Sequence, residues 1–163
     1  MEQSDIEPVN ASPAVRGNNR PAGLFDRYFK EQEEGERIVL LAFYNSEFAG
    51  HANIIWRSSY PAFAEKAIPE INDLYVISNY RRRGIGTALV DEAEKRIFIR
   101  SRFAGIGVGM YADYGPAQRM YVLRGYVPDR LGLMYKDKPV TPGEMVKVDD
   151  DLALYLVKER PEK

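Results

Sequence analysis

Positions 81 to 86 read Arg81-Arg82-Arg83-Gly84-Ile85-Gly86, and Thr87 comes next. The run leaves a β-rich stretch, Ile71 to Ser78, and enters a segment where Ile85, Leu89, Ala93 and Ile97 recur on one helical face. A strand that passes directly into a helix leaves the backbone N–H groups of the first helical turn without intrahelical acceptors, all converging on one small volume. Gly84 and Gly86 let an anion approach the backbone with no Cβ in the way, and three guanidinium groups surround it with positive charge. Cations at a helix N-terminus oppose the macrodipole by about a few tenths of a kcal/mol, so their collection here points to an anion, and a phosphate ester is the ligand expected.

Two common phosphate loops are ruled out by what is missing. No Lys-Ser/Thr pair comes after Gly86, as a nucleoside triphosphate loop requires. The third glycine of a dinucleotide fingerprint is replaced by Leu89, and the unit lies mid-chain behind a hairpin. Other groups able to do chemistry are two carboxylates, Glu70 before the central strand and Asp73 within it, and His51, the single histidine. Asp73 has the reach to act through an ordered water, while either carboxylate also suits a substrate cation or an arginine. A lone histidine in a hairpin strand reads as a structural or surface residue. The run Asp149-Asp150-Asp151 reads as a solvated loop.

The elements that must position these groups emerge from periodicity and punctuation. Residues 1–23 are rich in Pro, Asn, Gly and Ser, with Pro8, Pro13 and Pro21 breaking any period, and are expected to form an irregular arm with little core. Leu24, Phe25, Tyr28 and Phe29 define a short amphipathic helix that Gly35 stops. Residues 37–44 and 48–56 are β-rich runs separated by Asn45-Ser46-Glu47, a hairpin. A loop carrying Pro61 and Pro69 leads to the strand at 71–78, the basic turn and its helix, and then a strand at 104–111. Gly115-Pro116 opens a second helix that Gly125 ends, and 131–135 and 152–157 are closing strands. Residues 24–163 are thus expected to form a single α/β domain.

Composition limits the partners. With 23 basic against 24 acidic residues, no overall field exists to gather nucleic acid or an anionic membrane. The absence of cysteine removes disulfides, thiolate metal sites and a cysteine nucleophile, and no metal is expected. No run approaches the roughly 20 apolar residues of a membrane span. A cytoplasmic, unexported protein is the expectation.

Taken together, Arg81-Arg82-Arg83-Gly84-Ile85-Gly86 and the later Ala117-Gln118-Arg119-Met120-Tyr121-Val122-Leu123-Arg124-Gly125-Tyr126 resemble two elements of the GNAT superfamily of acetyl-CoA-dependent N-acetyltransferases: its Gln/Arg-x-x-Gly-x-Gly/Ala phosphate turn and its Ala-x-x-x-Tyr-x-x-x-Gly-Phe helix. The resemblance covers roughly residues 37–158. It implies a GNAT-type α/β fold, a mixed and mostly antiparallel sheet flanked by helices. It also implies acetyl-CoA as cosubstrate and an amine, on a small molecule or a protein, as acceptor. Backbone amides of Arg82 to Thr87 would then hold the CoA pyrophosphate, and Leu74-Tyr75-Val76 would pair with the pantetheine arm. A strand amide near Leu74 or Tyr75 would donate to the thioester carbonyl, where negative charge grows. Tyr121 stands at the family's tyrosine acid, able to protonate the departing thiolate. Glu70, fourteen residues before Gly84, matches the spacing of the glutamate base in the histone-acetylating branch, with Asp73 as the alternative base.

The chain departs from the family at two places. Residues 1–36 offer one helix where a strand and two helices are usual, and Tyr114 stands where an asparagine often touches the pantetheine. A strand lent by a partner would compensate for the first, and a homodimer is the working expectation. A non-catalytic acyl-CoA sensor is the rival function, told apart by the effect of replacing Tyr121. A nucleic-acid binder using Arg81 to Arg83 with Arg96, Arg100 and Arg102 would betray itself by steep salt dependence.

Overall fold

The computed structural model describes residues 1–12, Val15 and residues 21–162. These divide into two compact units, one of residues 1–56 and 71–95, the other of residues 57–70 and 96–163.

The first unit opens with helix α1, Gln3–Ala11, where an irregular arm was expected. Asp5 accepts from the Glu2 amide at 2.7 Å, closing a capping box that the composition concealed. Pro8 lies inside the helix and removes one intrahelical donor. Burial offsets that loss, because Val9 is fully enclosed. It packs with Val15 and with Leu24, Phe25 and Tyr28 of helix α2, Leu24–Glu33. Pro13, another of the three breakers of that stretch, lies outside the described residues.

Strands β1, Arg37–Tyr44, and β2, Glu47–Ile55, form the expected antiparallel hairpin, turned by Asn45 and Ser46 at positive φ. The register slips between Ala42 and Phe43, so that Phe48 shares a face with His51 and Asn53. Val39, Phe48 and Ile77 complete the apolar cluster that α1 and α2 cover. Strand β3, Glu70–Val76, lies beside β2. The approach is close at Gly50, where any Cβ would overlap the Tyr75 carbonyl oxygen. The chain then passes through a 3-10 turn, Ser78–Tyr80, and the basic turn into helix α4, Ile85–Arg100. Leu89, Ala93 and Ile97 are buried as the periodicity requires, while Ile85 is only partly buried and Val90 and Glu94 are buried as well.

In the second unit the strands run in the order β4-β7-β5-β6: Phe103–Gly109, Leu152–Glu159, Val127–Tyr135 and Lys138–Pro139. All three neighbouring pairs are antiparallel. Helix α3, Pro61–Glu65, stands where only a proline-bearing loop was expected, with Pro61 in its first turn. It places Phe63 beside Tyr60, Ile68, Met134 and Tyr155 in a second apolar cluster. Gly105 admits the Phe63 ring, since a Cβ there would collide with it. Helix α5, Gly115–Leu123, comes after a 3-10 turn at Ala112–Tyr114, and Gly125 at φ 87° ends it.

Candidate functional site

In the basic turn, Arg82 and Gly84 take left-handed backbone conformations, with φ of 60° and 79°. These bring the chain round so that α4 starts at Ile85, and the Ala88 amide bonding to the Gly84 carbonyl at 2.9 Å is its first turn. The residues just ahead of Ala88 therefore lie at the positive end of the helix. Gly86 faces the end of β3, where a Cβ would sit 3.6 Å from Val76 Cγ2. Arg81 folds back, its Nε donating to the Val76 carbonyl at 3.1 Å, while Arg83 donates to the Tyr44 hydroxyl at 3.0 Å. Arg81, Arg82, Arg83, Gly84 and Thr87 are all exposed. On physical grounds the turn suits an anion: the positive end of a helix, no Cβ at two positions, and guanidinium charge at its rim.

Asp73, in the middle of β3, has φ of 48°, a left-handed residue inside an extended strand. Its Oδ2 accepts from the Tyr28 hydroxyl at 2.9 Å and lies 2.8 Å from His51 Nε2. His51, expected as a structural or surface residue, is fully buried and paired with this candidate site carboxylate. Leu74, Tyr75 and Val76 carry the strand on from Asp73 and remain partly exposed.

Tyr121, on α5 in the second unit, is 4% exposed. Burial raises its phenol well above the usual tyrosine range, so it stays protonated and available as a donor. Its ring meets Tyr126 edge-on at 6.0 Å. Glu70 is also 4% exposed and accepts a short hydrogen bond from the Ser58 hydroxyl, which in turn accepts from the Tyr60 amide at 3.0 Å. The first unit thus brings together Asp73, Leu74, Tyr75, Val76 and the whole 81–87 turn, while Glu70 and Tyr121 belong to the second.

The 81–87 turn of the first unit suits a diphosphate group. The sequence model of the Acetyltransferase (GNAT) family matches residues 9–126. The chain belongs to the GNAT acetyltransferase family. No curated protein matches it. Among solved structures, it is similar to an N-acetyltransferase from Staphylococcus aureus Mu50 at 14% identity and TM-score 0.70, with 98% of this chain and 94% of that one covered. Arabidopsis thaliana Naa50, solved with the bisubstrate analogue CoA-Ac-MVNAL, gives 14% identity, a TM-score of 0.66 and coverage of 98% and 95%. The yncA protein of Salmonella typhimurium, solved with its cofactor acetyl-CoA, gives 14% identity, 0.67, and coverage of 100% and 92%. At such identities these likenesses establish the fold, and it is the GNAT architecture of a mixed, mostly antiparallel sheet with flanking helices.

Several residues of this GNAT chain escape sequence reasoning. Near Glu70, Tyr60 and Tyr155 stack at 3.7 Å with nearly parallel rings. Their hydroxyls donate to Asp129 and Asp137 respectively. Burial, then those carboxylate bonds, raises both phenols. Nothing local in the sequence marks them, since Tyr60 and Asp129 lie 69 residues apart. Asp150 is exposed, as expected, and also accepts from both Tyr111 and Tyr114. Gly109 makes room for the Tyr114 ring, so Tyr114 is a packed residue of this unit.

Proposed function

We propose that the protein transfers the acetyl group of acetyl-CoA to a primary amine within a ternary complex. The observation that carries this reading is the 81–87 turn: a left-handed Gly84, a helix that starts at Ile85, and three exposed arginines one 3-10 turn after β3. That arrangement suits the pyrophosphate of CoA. Membership of the GNAT family supports the same donor. The partly exposed segment Leu74-Tyr75-Val76 would run beside the pantetheine arm, and a strand amide there would stabilise the oxyanion.

The acceptor arrives as an ammonium, with a pKa near about 10, and must shed a proton before its nitrogen can attack. A carboxylate takes that proton, Glu70 or Asp73. The nitrogen lone pair then forms the C–N bond, the carbonyl oxygen takes up and returns charge, and the C–S bond breaks. Tyr121 gives its proton to the departing thiolate, a role suited to a phenol that burial keeps protonated, and the second ammonium proton, lost from the new amide nitrogen, returns through solvent to the phenolate.

Calorimetric titration with acetyl-CoA, CoA and ATP, and then thiol release against an amine panel, tests this reading. Acetyl-CoA and CoA are expected to bind and ATP to bind far more weakly. Binding of no CoA species would overturn the donor site, and binding without thiol release for any amine would leave an acyl-CoA sensor.

A further inference from the structure

Exposed apolar side chains gather in one stretch of the second unit. Val122 and Leu123 end helix α5, and Val127, Leu131 and Leu133 belong to strand β5. Four of the five are 50–69% exposed, and Leu133 is 38% exposed. One such residue on a surface would need no explanation, but five within residues 122–133 do. Residues of this size and exposure present roughly 500 Å² of surface, and Pro128 and Gly132, also exposed, extend it. Two such faces set against each other would bury about 1,000 Å² or more in all, which is what a specific interface requires.

The backbone of this stretch decides how a partner is held. Strand β5 pairs with β7 at Val127 and Pro128 and again from Leu133, and with β6 only at Met134 and Tyr135. Residues 129–132 have no ladder partner among the described residues, and Arg130 and Gly132 take left-handed φ of 74° and 80°. Left-handed residues and a proline spoil a strand edge for β-addition, so what the stretch offers a partner is side chains. The edge at β1, in the first unit, is closed from within. There the Val39 amide donates to Gln32 Oε1 at 3.0 Å, so a strand lent to β1 would have to displace Gln32.

Two charges make the 122–133 stretch self-complementary. Asp129 and Arg130 are adjacent, and among the described residues neither has an ion-pair partner. Asp129 accepts from the Tyr60 hydroxyl and the Leu131 amide, and Arg130 is exposed. A two-fold axis through this face sets Asp129 of each copy against Arg130 of the other, giving two reciprocal pairs from one adjacent couple. A partner of another kind would need a separate match for each charge. The formal net charge of the chain is -1, so two copies approach without strong long-range repulsion.

We propose that a second copy of this chain docks on residues 122–133 across a two-fold axis, with the five apolar side chains packed together and reciprocal Asp129–Arg130 ion pairs beside them. The dimer is held by side-chain packing and leaves the β5 backbone edge without a ladder. It is independent of the acetyl-transfer reading, because the 81–87 turn, Glu70, Asp73 and Tyr121 take no part in it.

Light scattering and sedimentation velocity on the full chain at tens of micromolar test this. The expected mass is twice the 18.6 kDa of one chain. Leu131→Glu and Leu123→Glu are each expected to return it to that of one chain. Arg130→Glu, which sets like charges together at two places, should weaken the dimer by about 10-fold. Ile99→Glu replaces a side chain that is more exposed still but lies outside the stretch, and should leave the dimer intact. Because the chain has no cysteine, Leu131→Cys gives one thiol per copy, which a short bismaleimide should join into a covalent pair, whereas Ile99→Cys should stay single. Melting curves show whether each glutamate variant is folded, and the cross-link decides where one is not. A wild-type chain that stays single, a dimer that survives in folded Leu131→Glu and Leu123→Glu alike, an Arg130→Glu dimer of undiminished affinity, or equal cross-linking of the two cysteine variants would overturn the assignment. The first of these would leave the face to a partner of another kind.

Discussion

Gly84 and Gly86 belong to one motif in the sequence, yet they do different things. At φ 79° Gly84 occupies a region that costs an L-residue roughly 1–2 kcal/mol, so Gly84→Ala is expected to lower the unfolding temperature even though no atom lies within 4 Å of the added methyl. Gly86→Ala meets only ordinary contact with Val76 and should leave stability intact, while the methyl stands in the anion cradle and weakens acetyl-CoA. Thermal melts and calorimetry on the two variants separate the roles, and a loss of stability in Gly86→Ala would refute this division. Tyr121→Phe is expected to reduce thiol release by about 100-fold without changing acetyl-CoA affinity. Because burial raises the Tyr121 phenol, no loss of turnover from its ionisation is expected below pH 10.0, the ordinary tyrosine value. Legibility at this scale was uneven. The 81–87 turn could be read because its chemistry is contiguous, whereas the His51–Asp73 contact joins residues 22 apart and needs the β2–β3 pairing to exist.

At the scale of elements, the longer strands and the helices α4 and α5 were readable because each carries its own period and its own stop, whereas β6, with two residues, and the first half of β5 were not. β1 at Arg37–Tyr44 and the start of α5 at Gly115 fall where the sequence placed them. The helices α1 and α3 were not readable. Both contain proline, which punctuates as a breaker, and each is held by a tertiary contact that no local pattern carries: Val9 against α2, and Phe63 in the space left by Gly105. The β2–β3 approach leads to a third prediction. Gly50→Ala forces its Cβ into the Tyr75 carbonyl, which is backbone and cannot step aside, so a cost of about 1–3 kcal/mol is expected in chemical denaturation. Gly35→Ala, with open space around it, serves as the control for a left-handed glycine and should cost only the conformational part, about 1 kcal/mol. Equal destabilisation by the two would show that β3 yields at Tyr75.

For the whole molecule, the buried phenols set an alkaline limit. Tyr60, Tyr114, Tyr121 and Tyr155 are all raised, with burial the first cause in each. A group whose folded pKa lies above its unfolded value contributes stability that is fully present below the unfolded pKa and lost as pH climbs past it. The window here therefore opens near the unfolded tyrosine value of 10.0. Unfolding temperatures are expected to hold level to about pH 9 and to fall steeply above 10, with tyrosinate absorbance appearing together with unfolding. Ionisation of Tyr60, Tyr121 or Tyr155, followed by ring NMR, well before the structure is lost would contradict the burial of these three side chains.

The strand order β4-β7-β5-β6 has a consequence for biosynthesis. Strand β7, Leu152–Glu159, is translated after both β4 and β5, yet it is the strand that joins them. A nascent chain that has released everything up to Pro139 thus carries two strands, each with an edge awaiting a partner not yet made. Closure of this unit is a late, non-local event that cannot begin while β7 is inside the ribosome. During that interval the waiting edges are where a chaperone would bind, and where a stalled or shortened chain would aggregate.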